Sequence, residues 1–286
     1  MDFIVTDFSA GYGKKQIVSG VSFCLESGTL TALLGTNGCG KTTLLKGLCH
    51  LAAHSGSAVL VPSDPGGEQP GSSEKQSSFG GGRPGSGNLP IRLDSCSSRQ
   101  IARHVSYIAQ KSGIHISLPV LEVVLMGFQP FLPLLSSPGK NHRASALSAL
   151  QTVGLAGYEE QDFLTLSEGQ KQLCILARAL VQNTELLLFD EPDSALDYPN
   201  RHKILNTIRK IVYDRKKAGL LVLHDLNMAL DYCDQLLLMK NGTLIGTLRP
   251  REDSEELLST ALCRLYGPVR VFRKEGHCFI MNPDSN

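Results

Sequence analysis

The segment Gly35-Thr36-Asn37-Gly38-Cys39-Gly40-Lys41-Thr42 sets three glycines, a lysine and a hydroxyl in the spacing G-x-x-x-x-G-K-[ST]. Such glycines let successive backbone N–H groups turn inward around a phosphate chain, and a helix that starts there adds a field favourable to anions. Lys41 is placed to meet the outer phosphates and Thr42 to ligate Mg²⁺, with Thr43 next along the same helix start. A second group of residues closes the apolar run 185–190. Asp190 there can hold Mg²⁺, commonly through water, and Glu191 can polarise an attacking water as general base. A third, Ser167-Glu168-Gly169-Gln170, can offer a hydroxyl and backbone N–H groups to an anion. The same Ser-x-x-Gln spacing is also an ordinary capping box, and the two roles are compatible.

These residues need strands and helices to hold them. The apolar run 29–34 ends in the glycine-rich segment and reads as a buried strand. Lys41 to Ala53 carries Leu44, Leu45, Leu48 and Leu51 at helical spacing, and Ser57 to Val61 is strand-like. Val105 to Ala109 reads as a strand, as do the runs 185–190 and 220–223. Val120 to Met126, Arg143 to Val153, Glu168 to Val181 and Arg201 to Val212 read as helices. Gln235 to Met239 and Thr243 to Leu248 flank Asn241-Gly242, a strong hairpin signal. Buried apolar strands alternating with helices predict an α/β chain with a mostly parallel sheet covered on both faces. A helix from Ser254 to Tyr266 and a hairpin from Val269–Phe272 and Cys278–Met281 are expected after it.

Nineteen of the 29 residues from Pro62 to Pro90 are Gly, Pro or Ser. That composition cannot bury enough apolar surface to offset its ordering entropy, so a mobile loop is expected. The whole chain has 286 residues, with 28 Lys and Arg against 27 Asp and Glu. Near-neutral charge gives no broad basic surface for nucleic acid. No apolar run approaches the roughly 18 residues that a spanning helix needs, and the first residues lack the basic and apolar regions of a secretory signal. A cytoplasmic location is therefore expected. The eight cysteines have no clustered or regular spacing, which argues against zinc ribbons and disulfide frameworks.

Taken in order, the phosphate loop, Ser167-Glu-Gly-Gln170, Asp190-Glu191, Ser194-Ala-Leu-Asp197 and His224-Asp225 resemble the nucleotide-binding subunit of an ABC transporter. The resemblance covers about Asp2 to Leu248. Ser9 to Gly13, Leu121 to Gly127 and His224 to Asn227 narrow it towards the subgroup powering bacterial uptake of iron–siderophore complexes, haem or vitamin B12. It implies a P-loop NTPase fold of ABC type: a mostly parallel core sheet, an antiparallel β subdomain and an α-helical subdomain. The ABC domain would occupy about 1–250, with its helical subdomain at 111–182 and an insertion at 62–95, followed by a C-terminal extension at 251–286. By this likeness Gly35 to Thr43 bind ATP and Tyr12 stacks on adenine. Gln110 senses Mg²⁺ and the γ-phosphate, and His224 contacts that phosphate and orients the attacking water. Ser167, Gly169 and Gln170 serve a second copy's nucleotide, and Asp197 contacts the second copy's phosphate loop. The likeness further implies a homodimer on the cytoplasmic face of a bacterial membrane, a permease partner and, indirectly, an extracytoplasmic binding protein.

Two positions depart from the family pattern. Glu168 stands where Gly is usual, and a carboxylate there should repel a triphosphate unless it turns aside or meets a cation. Asp193 stands where Thr is usual, and the sequence gives no reason for it. Leu118 to Leu135 is apolar enough for a partner site or for internal core. Three other functions compete with the importer reading: an ABC subunit for zinc or manganese ions, a soluble ABC ATPase acting on ribosomes or DNA, and a degenerate subunit that does not hydrolyse.

Overall fold

The computed structural model describes residues 1–63, 89–133 and 135–281. Most of the expected loop at 62–95 lies outside the described residues. At its end Ile91–Arg92 form a short strand and Leu93 is buried.

Short, wholly buried strands make the centre. Leu30–Leu34, Leu186–Asp190 and Ala218–Val222 are buried at every position. With β1 (Asp2–Tyr12), β2 (Lys15–Leu25), β4 (Ala53–Val61), β5 (Ile91–Arg92) and β6 (Val105–Ile108) counted in chain order, these are β3, β7 and β8. β9 (Gln235–Lys240) and β10 (Thr243–Leu248) follow. One six-stranded sheet runs β10-β9-β3-β8-β7-β6, parallel throughout except that β10 pairs antiparallel with β9. A second, antiparallel sheet runs β2-β1-β4-β5.

Strand alternation sends neighbouring side chains to opposite faces. Leu33, Leu186, Leu188, Leu220 and Val222 face the antiparallel sheet and α1 (Lys41–Leu48). Ala32, Leu34, Leu187, Phe189 and Leu221 face the other side. There they meet helices α3 (Val120–Leu125), α4 (Lys140–Thr152), α5 (Glu168–Gln182), α6 (Tyr198–Asp214), α7 (Leu226–Tyr232) and α8 (Glu255–Tyr266). A four-residue helix α2 (Ser98–Ile101) precedes β6, and a small hairpin of β11 (Arg270–Lys274) and β12 (His277–Met281) ends the described chain. At roughly 1.5–3 kcal/mol for each fully buried leucine-sized side chain, burial on both faces contributes strongly to holding the central sheet in place.

The expected elements form, with one correction, and one open alternative is decided. The helix expected over Lys41–Ala53 stops at Leu48, because Cys49 ends it and His50 takes φ +57. Leu51, expected on its apolar face, is 58% exposed. The Leu118–Leu135 stretch is mainly core. Val120, Leu121 and Val123–Leu125 are buried, whereas Met126 and Leu135 are exposed.

Candidate functional site

In an open α/β sheet the crevice lies at the carboxyl ends of the strands. Four neighbouring strands here end in chemistry: β3 runs into Gly35, β6 into Gln110, β7 into Asp190-Glu191 and β8 into His224. The parallel pairing of β3, β8, β7 and β6 therefore brings four distant sequence segments to one rim.

The loop between β3 and α1 cannot carry larger residues at key points. A Cβ on Gly35 would stand 2.3 Å from the Met239 carbonyl oxygen and 2.6 Å from Cys39 Sγ. Gly38 has φ +78 and open space where its Cβ would point, so the concave side stays clear. The Lys41 ammonium is folded into this loop, donating to the Gly35 and Thr36 carbonyls at 2.7 and 3.2 Å. The first turn of α1 has no carboxylate to compete with an anion.

Asp190 shares a strand face with Leu186 and Leu188 and so points towards α1. Thr42 Oγ1 donates to Asp190 Oδ1 at 3.0 Å, and Tyr107 Oη donates to Asp190 Oδ2 at 2.9 Å. A hydroxyl and a carboxylate side by side next to a phosphate cradle are the oxygen donors that a small hard cation such as Mg²⁺ takes, together with phosphate oxygens. The residues present fit it. Burial first, and then the Asp190 charge, pushes the Tyr107 phenol well up, so it stays a proton donor.

Glu191 lies in the left-handed region at φ +53, a conformation that costs a non-glycine residue roughly 1–3 kcal/mol and collects at functional sites. The turn aims its carboxylate along the rim. His224 Nε2 lies 2.6 Å from Oε1, and Gln110 Nε2 donates to Oε2 at 2.7 Å. Ser194 Oγ accepts a longer bond from Gln110 at 3.3 Å and donates to the Glu191 carbonyl at 3.1 Å. Asp225, next to His224, caps α7, accepting from the amides of Asn227 and Met228. Gln110 thus spends its amide nitrogen on Glu191 and Ser194, and a metal-binding role for it rests on the resemblance.

Other expected residues lie apart from this cluster. Tyr12 ends β1 and is 48% exposed. Ser167 and Gln170 form the expected capping box of α5, each bonding the other's backbone. Asp197 caps α6 through the Asn200 amide at 3.2 Å. Gly169 faces Asn200, its would-be Cβ 3.4 Å from that side chain. Glu168 meets a cation: Lys171 Nζ donates to its Oε1 at 2.8 Å. Replacing Glu168 with Gly is therefore expected to leave ATP turnover within about threefold of the parent, the scale of an exposed ion pair. A manyfold rise in released phosphate would make Glu168 an inhibitory residue. A groove of about 490 Å³ joins Gln110 and Ile114 to Glu168 and Gln172 of α5. Gln172 Nε2 reaches the Gln110 carbonyl at 3.4 Å.

Asp193 is buried, 4% exposed. Burial pushes its carboxyl up; its own amide, Arg201 and His224 pull the other way with smaller effect. A carboxyl raised in the folded state favours folding while it is protonated, and that support is lost as pH rises through its folded value. Asp193→Asn keeps the neutral form at every pH. It should raise Tm at pH 8, with the gain fading as pH falls through the raised folded value and gone below about pH 4. Thermal melts across pH would show it, and an equal shift at all pH values would exclude ionisation as the cause.

Sequence reasoning missed Tyr107, Ser194 and Lys171. Ser194 lay inside a recognised motif without a role, and Lys171 stands three residues from Glu168. Tyr107 reaches Asp190 through strand pairing alone.

Among the described residues no helix is long and apolar enough to cross a membrane, and no cluster of three or more His, Cys, Asp or Glu side chains could hold a metal ion. Residues 18–194 match the family model described as ABC transporter. The chain is 31% identical over 253 residues to the Hemin import ATP-binding protein HmuV of Shewanella denitrificans, covering 87% of each. It is 27% identical to the Ferric enterobactin transport ATP-binding protein FepC of Escherichia coli, covering 90% of this chain and 84% of that protein. It is 32% identical to the Zinc transport system ATP-binding protein TroB of Treponema pallidum, covering 82% and 77%. A dimeric ATP-binding cassette solved with ADP and Pi superposes with TM-score 0.66 at 20% identity, covering 88% of this chain and all of that one. This last likeness speaks for the fold alone.

Proposed function

The chain belongs to the ABC transporter family, and from that premise we propose that it is the ATP-binding and ATP-hydrolysing subunit of an importer for iron-siderophore, haem or cobalamin-type substrates. The observation that carries the hydrolytic half is the contact of His224 and Gln110 with the two oxygens of Glu191, at the same rim as Lys41 and the Thr42–Asp190 pair. The relatives named for hemin and ferric enterobactin support the substrate class. The relative named for zinc supports the runner-up, a subunit serving metal ions.

Hydrolysis of a nucleoside triphosphate needs charge neutralisation around the γ-phosphoryl group and a held water. Lys41 leaves the loop carbonyls for the outer phosphates. Tyr12 offers its ring to adenine. Thr42 and Asp190 present oxygen ligands, and Gln110 reaches the same cation; Mg²⁺ held there would neutralise developing phosphate charge. Glu191 takes the proton of the attacking water, and His224 orients that water against the γ-phosphate. Ser167, Gly169 and Gln170 act on the nucleotide of a second copy, whose phosphate loop Asp197 meets. Two copies closing and reopening would drive a permease between inward- and outward-facing states. The 490 Å³ groove beside Gln110 supports a docking place for that permease, because movement there reaches Glu191 through one side chain. The working assembly sits on the cytoplasmic face of the cell membrane, and an extracytoplasmic binding protein delivers the solute.

Co-purification with a permease tests the reading. ATP turnover of that complex should rise when a binding protein loaded with ferric siderophore, haem or cobalamin is added. Stimulation by a zinc-loaded binding protein alone would favour the runner-up, and turnover that no permease influences would exclude import.

A further inference from the structure

Both carboxylates at the end of β7 are held from the neighbouring strand. Tyr107, on β6, stands in register with Leu188, two residues before Asp190. Its ring packs against the apolar layer between the two sheets, among residues on the same side as Leu186 and Leu188. From there its hydroxyl reaches Asp190 Oδ2 at 2.9 Å. Three residues on, Gln110 donates to Glu191 Oε2 at 2.7 Å.

We propose that Tyr107 is a positioning residue for cation-dependent nucleotide binding: its hydroxyl caps Asp190 Oδ2 and so turns Oδ1 towards Thr42. This rests on the reading of Thr42 and Asp190 as the cation ligands. A carboxylate rotates about its last bond, and a buried one settles where both oxygens find donors. Thr42 Oγ1 donates to Oδ1 and Tyr107 Oη to Oδ2, so the donors divide between the oxygens. With a divalent cation held by Thr42 and Asp190, the Thr42 hydroxyl would no longer donate to Oδ1. The bond from Tyr107 lies on the other oxygen and can persist. It therefore holds the carboxylate plane both before and after a cation enters, and Tyr107 itself needs no contact with nucleotide or cation.

The test uses the full chain and a fluorescent ATP analogue, mant-ATP, titrated with saturating Mg²⁺ and separately with EDTA. Tyr107→Phe keeps the ring and removes only the hydroxyl. Its affinity in EDTA should stay within about twofold of the parent, whereas the gain conferred by Mg²⁺ should shrink about tenfold, the scale of one hydrogen bond to a charged group. The EDTA arm also shows that the variant is folded. An undiminished Mg²⁺ gain in Tyr107→Phe would overturn the inference, and so would an equal loss in both arms, which would mean packing alone. A parent protein that binds mant-ATP without any Mg²⁺ gain would instead overturn the cation site, and this inference with it.

Discussion

Glu191→Gln is expected to bind ATP within a few-fold of the parent while its turnover falls by about 10²–10⁴, the range lost with a positioned general base. The substitution is nearly isosteric, and an amide can still meet Gln110 and His224, so the rim should keep its shape. What it cannot do is accept the proton of the attacking water. Both Glu191 oxygens are engaged in this structure, Oε1 by His224 at 2.6 Å and Oε2 by Gln110 at 2.7 Å. Each oxygen keeps a lone pair for a water, so the two contacts fix the carboxylate without using up its capacity to accept a proton. Phosphate release and ATP-dependent dimer formation should be measured together. Near-normal release would remove Glu191 from the chemistry. Loss of release with loss of ATP binding would mean that the charge holds the site together. A persistent ATP-bound pair with stalled release is the expected combination.

The legible part of this site is the part that depends on local sequence. Apolar strands β3, β7 and β8 are buried at every position, so their composition alone marked them, and the chemical residues follow them directly. The phosphate loop has a fixed spacing because its backbone must wrap one ligand shape. The antiparallel hairpin was harder. β1 carries Asp7 at φ +46 and register shifts against β2 near Val5, Phe8 and Ala10, so its alternation breaks where a period of two would reveal a strand. α7 is seven residues long, too short for a helical period to stand out. The end of α1 was misplaced because Leu51 continues a helical spacing that His50 interrupts with its backbone. Tyr107 was invisible for another reason. Nothing in the sequence around it mentions Asp190, and the contact exists because parallel pairing sets Tyr107 opposite Leu188. The cation beside Glu168, in contrast, was present in the sequence three residues away as Lys171, at a spacing that places both on one helix face.

Lys41→Ala should cost ATP binding more than any other single change in the loop. The Lys41 side chain is buried, 6% exposed, and its ammonium is held by two main-chain carbonyls of the very loop it serves. Transfer to phosphate replaces neutral acceptors by anionic ones, and charge-assisted bonds are roughly twice as strong as neutral ones. Removing the ammonium forfeits those bonds and also leaves the phosphate charge uncompensated in a low-dielectric recess. A loss of at least about 100-fold in ATP affinity follows, from roughly 1.5–3 kcal/mol for each charged hydrogen bond. The loop itself should survive, because Gly35 stays close against the Met239 carbonyl and the Cys39 carbonyl still accepts from the Gly242 amide at 2.9 Å. Adenosine, which has no phosphate, should therefore bind the variant and the parent alike, however weakly. Calorimetric titration with ATP and with adenosine separates the outcomes. Equal ATP affinity in variant and parent would place the triphosphate elsewhere on the molecule, and a parallel loss of adenosine binding would point to a collapsed loop rather than a missing charge.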